Sequence, residues 1–273
     1  MRSILDKGSR TYLVSLRAEI EGVVDERRGD NGEDYWQGAL VGVASAEDPL
    51  FKELRRVVDP EHAMPGDILS GARSVIVYFL AFRESLGKEN GQQRAFAARR
   101  WAEAYTSTNG LIESINLHLK TCLEKSGYAA ALTPATHNFD EKRLVSRWSH
   151  KHLAFIAGLG TFGHHHLLIT QAGCCGRLGS LATTLPLPPT ARPRGELCLQ
   201  KAGHPCFACV AKCRYAALHK THFDRHACYR QCLRNDSHYS DLPLVDVCGK
   251  CACEVPCSYQ VPAPPASTGR SGR

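Results

Sequence analysis

Cysteine placement constrains this chain more than any other feature. The first 121 residues contain none, Cys122, Cys174 and Cys175 stand apart, and the other ten fall between Cys198 and Cys257. Disulfide frameworks suit small secreted domains. This is a 273-residue chain whose start, MRSILDKGSRTYLVSLRAEIEG, lacks the apolar stretch and small-residue site of a secretory signal. A metal-binding module is the better reading. Charge divides at nearly the same place: from Thr184 onward 12 Lys/Arg stand against 6 Asp/Glu, and the part before it is close to neutral. A basic surface attracts nucleic acid, or it offsets the negative charge of thiolates around metal, and the second reading is the simpler. No run of 18 apolar residues exists, so the expectation is a cytoplasmic protein without a membrane partner.

Periodicity outlines what precedes the cysteines. Residues 11–27 carry apolar positions at helical spacing, Ala39–Ala44 and Ser74–Phe82 read as buried strands, and 92–126 lacks proline and reads as mostly helical, with Gly110 its weak point. Tyr128–Leu132 reads as a strand, Lys142–Ala157 as a helix, and His165–Thr170 and Ser180–Thr184 as further strands. The pattern predicts an α+β or α/β layered domain over 10–185. A proline-rich linker or wrap-around segment follows, then the cysteine module (186–260) and a disordered tail (261–273).

Cubane iron–sulfur clusters take four thiolates each, and in two-cluster ferredoxins the last cysteine of a run serves the other cluster. That interleaving assigns Cys198, Cys206, Cys209 and Cys257 to one [4Fe-4S] cluster. Cys213, Cys228, Cys248 and Cys251 hold the second, and Cys232 and Cys253 are spare. Zinc competes, because Cys206-x2-Cys209 and Cys228-x3-Cys232 approach a zinc-ribbon pattern.

Several segments together resemble the epoxyqueuosine reductase-like family of cobalamin and iron–sulfur proteins. They are SRWSHKHLAFIAGLG, the run Ala157-Gly158-Leu159-Gly160-Thr161-Phe162-Gly163 with the LLIT after it, LGSLATTLPL, HFDRHAC, and the closing CGKCACEVPC. The likeness is to the shorter members, over roughly residues 10–260. It implies a nitroreductase-like α/β cofactor domain followed by a small ferredoxin-like double-cluster module. It further implies bound cobalamin that receives electrons through both clusters, from a flavodoxin- or ferredoxin-type donor protein. Gly158, Gly160 and Gly163 would let the backbone approach the cofactor closely, and His164 would touch it. The full reductase has an acidic proton donor before the glycines. Here that stretch is Ser149-His150-Lys151-His152, so His150 becomes the candidate donor, its ordinary pKa suiting proton transfer near neutrality. The substrate expected is a small molecule or modified base, with tRNA as a partner on the strength of the resemblance alone. A non-catalytic ferredoxin-like carrier or corrinoid-handling protein is the alternative, and an RNA-binding zinc protein the third. Cys174-Cys175 and Cys122 read most simply as packed thiols.

Overall fold

The structure, a computed structural model, describes residues 9–135 and 139–264. In chain order it runs α1 (Ser9–Asn31), β1 (Trp36–Ser45), α2 (Leu50–Val57), α3 (Pro65–Ile68), β2 (Ser74–Phe82), α4 (Glu84–Gln92) and α5 (Arg99–Lys125). There follow β3 (Ala130–Leu132), β4 (Phe139–Asp140), β5 (Val145–Ser146), α6 (His150–Ile156), β6 (Gly160–Phe162), β7 (Leu168–Thr170) and β8 (Gly176–Thr183). Two helices, α7 (Ala208–Lys212) and α8 (Arg225–His238), and a 3-10 turn at Lys250–Ala252 complete it.

The main sheet has the order β1-β2-β8-β3, and each neighbouring pair is antiparallel. All nine residues of the second strand are buried, as a continuous apolar run requires when both faces are covered. Period-two alternation splits them. Ile76, Tyr78, Leu80 and Phe82 pack with Leu16 and Ile20 of α1 and Leu111 and Ile112 of α5. Val75, Val77, Phe79 and Ala81 pack with Phe51 and Leu54 of α2 and Leu153 and Ile156 of α6. The result is a mixed α and β fold of three layers, with an antiparallel sheet between helices. Among the described residues no helix is long and apolar enough to cross a membrane.

Three expected elements differ. The helix over Lys142–Ala157 shrinks to its second half. Asp140 Oδ1 accepts the backbone N–H groups of Lys142 and Arg143 at 2.9 Å, Leu144 takes φ 53°, and the chain closes a β4–β5 hairpin instead. The helix over 92–126 starts only at Arg99, since α4 ends at Gln92 and Gln93 and Ala98 are extended, whereas Gly110 passes inside α5 without interruption. The strand at His165–Thr170 starts only at Leu168. His166 N–H donates to Gly163 O and Gly163 N–H to Leu167 O, so the three histidines form the turn of the β6–β7 hairpin rather than one face of a strand.

The proline-rich segment wraps around the domain. Leu187 N–H donates to Ser74 Oγ, and Thr190 exchanges hydrogen bonds with Val43 at the outer edge of β1. Leu197 N–H then donates to Thr161 Oγ1. This delivers the cysteine segment to the β6–β7 hairpin and to α4–α5, where it shares the main core through Cys198, Ala252 and Cys253. Asn235 accepts from Ala97 N–H and donates to Val247 O, and Arg99 pairs with Asp241. Residues 261–264 have no regular structure, and the rest of the expected tail lies outside the described residues.

Candidate metal and cofactor site

All thirteen cysteines are free thiols, and the fold gathers nine of the ten in the C-terminal module around two adjacent cavities. Cys198, Cys206, Cys209 and Cys257 line the smaller one. Cys213, Cys228, Cys232, Cys248 and Cys251 line the larger, of about 320 Å³. The division follows from local structure. Cys209 lies in α7, but Cys213 caps that helix with ψ 99° and turns away into the second cavity. Cys228 and Cys232 are one turn apart on α8, which starts under an Asp224 side chain that accepts Ala227 N–H. Cys248 and Cys251 flank Gly249, whose φ of 72° starts the tight 3-10 turn.

Burial sets the protonation of the bare thiols. Burial pushes Cys209 and Cys248 up to about 12 and Cys251 well above the ordinary thiol value, so without a cation nearby these sulfurs stay protonated. The Cys228–Cys232 pair divides its proton. The hydrogen bond from Cys232 lowers Cys228, with help from Lys151, and Cys232 is correspondingly raised.

The zinc-ribbon pairing is not formed, since Cys206 and Cys209 line one cavity and Cys228 and Cys232 the other. A tetrahedral zinc with Zn–S of about 2.3 Å sets its sulfurs about 3.8 Å apart. Among the described residues no three of the eight expected ligand sulfurs lie within 4.8 Å of one another. Four thiols line the first cavity and five the second, enough in each for the donor set of a Cys₄ cluster, with Cys232 the extra one beside the expected ligands.

The second cavity has an apolar wall of Phe82, Trp101, Leu167 and Leu218, with Lys151, Arg177, Tyr105 and Asp246 among its polar groups. Tyr105 O–H donates to Asp246 at 2.5 Å. Arg177 lies 4.0 Å over the Tyr105 ring and donates to Asn109. Trp101 Nε1 is buried and has no hydrogen-bond partner among the described residues, which suits a ligand bearing acceptors. Lys250, 2% exposed, donates to Asn90 O, Asn90 Oδ1 and Gln93 O behind the Cys248–Cys251 turn. The sequence reading passed over Lys250, although its place between two ligand cysteines was the available sign.

The glycines and histidines expected at the cofactor have these surroundings. A Cβ on Gly158 would meet Ala191 O at 2.6 Å, on Gly160 Ile169 O at 1.9 Å, and on Gly163 the His165 ring at 2.4 Å. What approaches these glycines is the chain itself, and none of them lines the larger cavity. His164 lies beside the first cage, its Nε2 at 2.9 Å from His219 O and its ring edge-on to Phe207. His150 is also outside the larger cavity: Nε2–H donates to Pro134 O at 2.8 Å, and Nδ1 faces Ser180 Oγ at 3.0 Å. Both nitrogens are engaged, so Lys151, the next residue, is the one that reaches the cavity. Sequence reasoning also missed His165, which is 4% exposed and lines both cavities.

Histidines near α6 make folding acid-sensitive. Burial lowers His62 and His150, and burial with Lys151 holds His152 at about 4. The unfolded chain, with ordinary histidines near 6.5, then binds more protons than the folded one between about pH 4 and 6.5. This contribution is complete above pH 6.5 and is lost as pH falls through that window. The melting temperature is expected to drop from pH 7 to pH 5, and to drop less in His152→Gln. Parallel pH profiles for the two proteins would count against the assignment.

No protein-family model and no curated protein matches the sequence. Solved structures do match. Selenomethionine-labelled epoxyqueuosine reductase aligns at 15% identity and TM-score 0.52, over 86% of this chain and 64% of that one. Epoxyqueuosine reductase with a tRNA-Tyr epoxyqueuosine-modified stem loop aligns at 14% and 0.50, over 81% and 58%. A catabolic reductive dehalogenase in complex with 3-bromo-4-hydroxybenzoic acid aligns at 13% and 0.57, over 93% and 38%. The fold is thus of the class that these reductases and dehalogenases share. More particularly, it is an epoxyqueuosine reductase-like fold. The chain spans less than two thirds of the length of each of these structures.

Proposed function

We propose that this protein is a cytoplasmic iron–sulfur reductase. One [4Fe-4S] cluster is held by Cys198, Cys206, Cys209 and Cys257, the other by Cys213, Cys228, Cys248 and Cys251. Cobalamin and a small-molecule or modified-base substrate meet at the larger cavity. The observation that carries this reading is the pair of adjoining cysteine cages, the second of which opens into the cavity. The clusters, when bound, supply one-electron transfer, and the cobalamin supplies a strongly reducing cobalt centre.

This chain's own residues have separate tasks. Trp101 Nε1 and Arg177 offer donors to the amide side chains of a corrin. Lys151 and the Tyr105–Asp246 pair hold protons at the cavity and take the role first expected of His150. Lys250 places a buried positive charge behind the second cage and offsets its thiolates. A flavodoxin- or ferredoxin-type donor protein would supply electrons from outside.

Cavity size favours a second reading as well. The cavity of about 320 Å³ is lined by the second set of cysteines, so a bound cluster would fill part of it, and a corrin, larger than what is left, would enter only in part. A non-catalytic electron carrier needs no such room. Anaerobic reconstitution followed by cobalamin titration separates the two. A shift to the base-off spectrum supports the reductase, and an unchanged spectrum at full iron content leaves the carrier.

A further inference from the structure

The turn between β6 and β7 carries a group that the proposed reaction leaves without a task. His165 sits between the two cysteine cages and lines both cavities. Its ring fits there because Gly163 has no Cβ, which would stand 2.4 Å from the imidazole. Backbone fixes its tautomer: Leu167 N–H donates to Nδ1 at 3.1 Å, so in the neutral ring the proton is on Nε2. Nε2 in turn lies 3.5 Å from Cys257 Sγ. Cys257 Sγ, His165 and Cys174 Sγ all fall within 4.8 Å of one another, and Cys174 N–H also donates to Cys257 O. Cys257 is the ligand that returns from the chain's far end to close the first cage.

We propose that His165 is a positioning residue that donates an Nε2–H···Sγ hydrogen bond to Cys257 and thereby raises the reduction potential of the first cluster relative to the second. This rests on the two-cluster reading above. Reduction by one electron increases the negative charge on the cluster's sulfurs, and a fixed donor stabilises that charge more in the reduced state than in the oxidised. The proton stays on the imidazole throughout, so no acid–base step is involved.

The test is a potentiometric titration of the reconstituted protein, read by electron paramagnetic resonance. In His165→Leu, one of the two midpoints is expected to fall by about tenfold in its reduction equilibrium, ~59 mV for a one-electron couple, while the other stays. His165→Gln, which retains an N–H donor, is expected to restore much of it. In a Cys209→Ser background, where the first cluster is missing, His165→Leu should leave the remaining midpoint unchanged. Full iron content with neither midpoint moved, or both moved equally, overturns the role of His165 alone. Wild-type protein without iron defeats the two-cluster reading and this inference with it. Should His165→Leu fail to fold, pulsed resonance on reduced wild type labelled with 15N-histidine decides: an imidazole nitrogen coupled to a cluster is expected, and its absence overturns the proposal.

Discussion

Cys209→Ser is expected to lower the iron content of anaerobically reconstituted protein from about eight to about four per chain, while the remaining cluster keeps its own spectrum. The expectation follows from how the cages divide. Cys209 is 7% exposed, and the sulfurs nearest to it in charge effect are Cys257, Cys198 and Cys206, all lining the same cavity. The next turn of chain sends Cys213 to the other cavity, although only four residues separate them. Serine offers a harder and far less acidic ligand than thiolate, so the first cage loses its cluster. Cys122→Ser is the control. Cys122 lies on α5 beside Glu19 and His118, away from both cages, and should keep all the iron. Loss of all iron from Cys209→Ser would mean one shared centre, and loss of none would mean that the ligand sets are drawn differently.

Gly160→Ala should produce the largest loss of stability of any one-methyl change in the hairpin. Its Cβ would lie 1.9 Å from Ile169 O and 2.7 Å from Ile169 C. Both atoms are backbone, held by the pairing of Gly160 with Thr170, so no side chain can swing aside. Overpacking of this kind costs about 3 kcal/mol, which for a chain of this size is a fall of roughly 6–12 °C in melting temperature. Gly22→Ala provides the opposite sign. That glycine lies within α1 with nothing within 4 Å of its Cβ position, and alanine there should stabilise by about 0.5–1 kcal/mol. A Gly160→Ala protein that melts with the wild type would show that the hairpin can open without cost. The positions of His164 and His165 would then lose their physical basis.

Much of the fold can be read from hydropathy alone. Ser74–Phe82 is apolar at every position but the first and forms the buried central strand. The helical spacing over 11–27 falls inside α1. Elements set by side chain-to-backbone hydrogen bonds were not legible in this way. Nothing in the periodicity of Lys142–Ala157 announces that Asp140 will capture two N–H groups and start a hairpin. Glycines in Gly158–Gly163 show that something passes close to the backbone. They do not show that the close neighbours are Ala191, Ile169 and His165.

The cysteine spacing by itself pointed to a thiol-rich module in the last third of the chain and to an interleaved grouping of its cysteines, because short steps along a chain limit which side chains can converge. Only the tertiary structure decided what stands between and around those sets. His165 comes from a hairpin some ninety residues before Cys257, and Lys250 meets Asn90 from the far end of the chain. Such meetings depend on how the proline-rich segment wraps the sheet and returns, and that path is fixed by long-range backbone hydrogen bonds which local sequence does not encode.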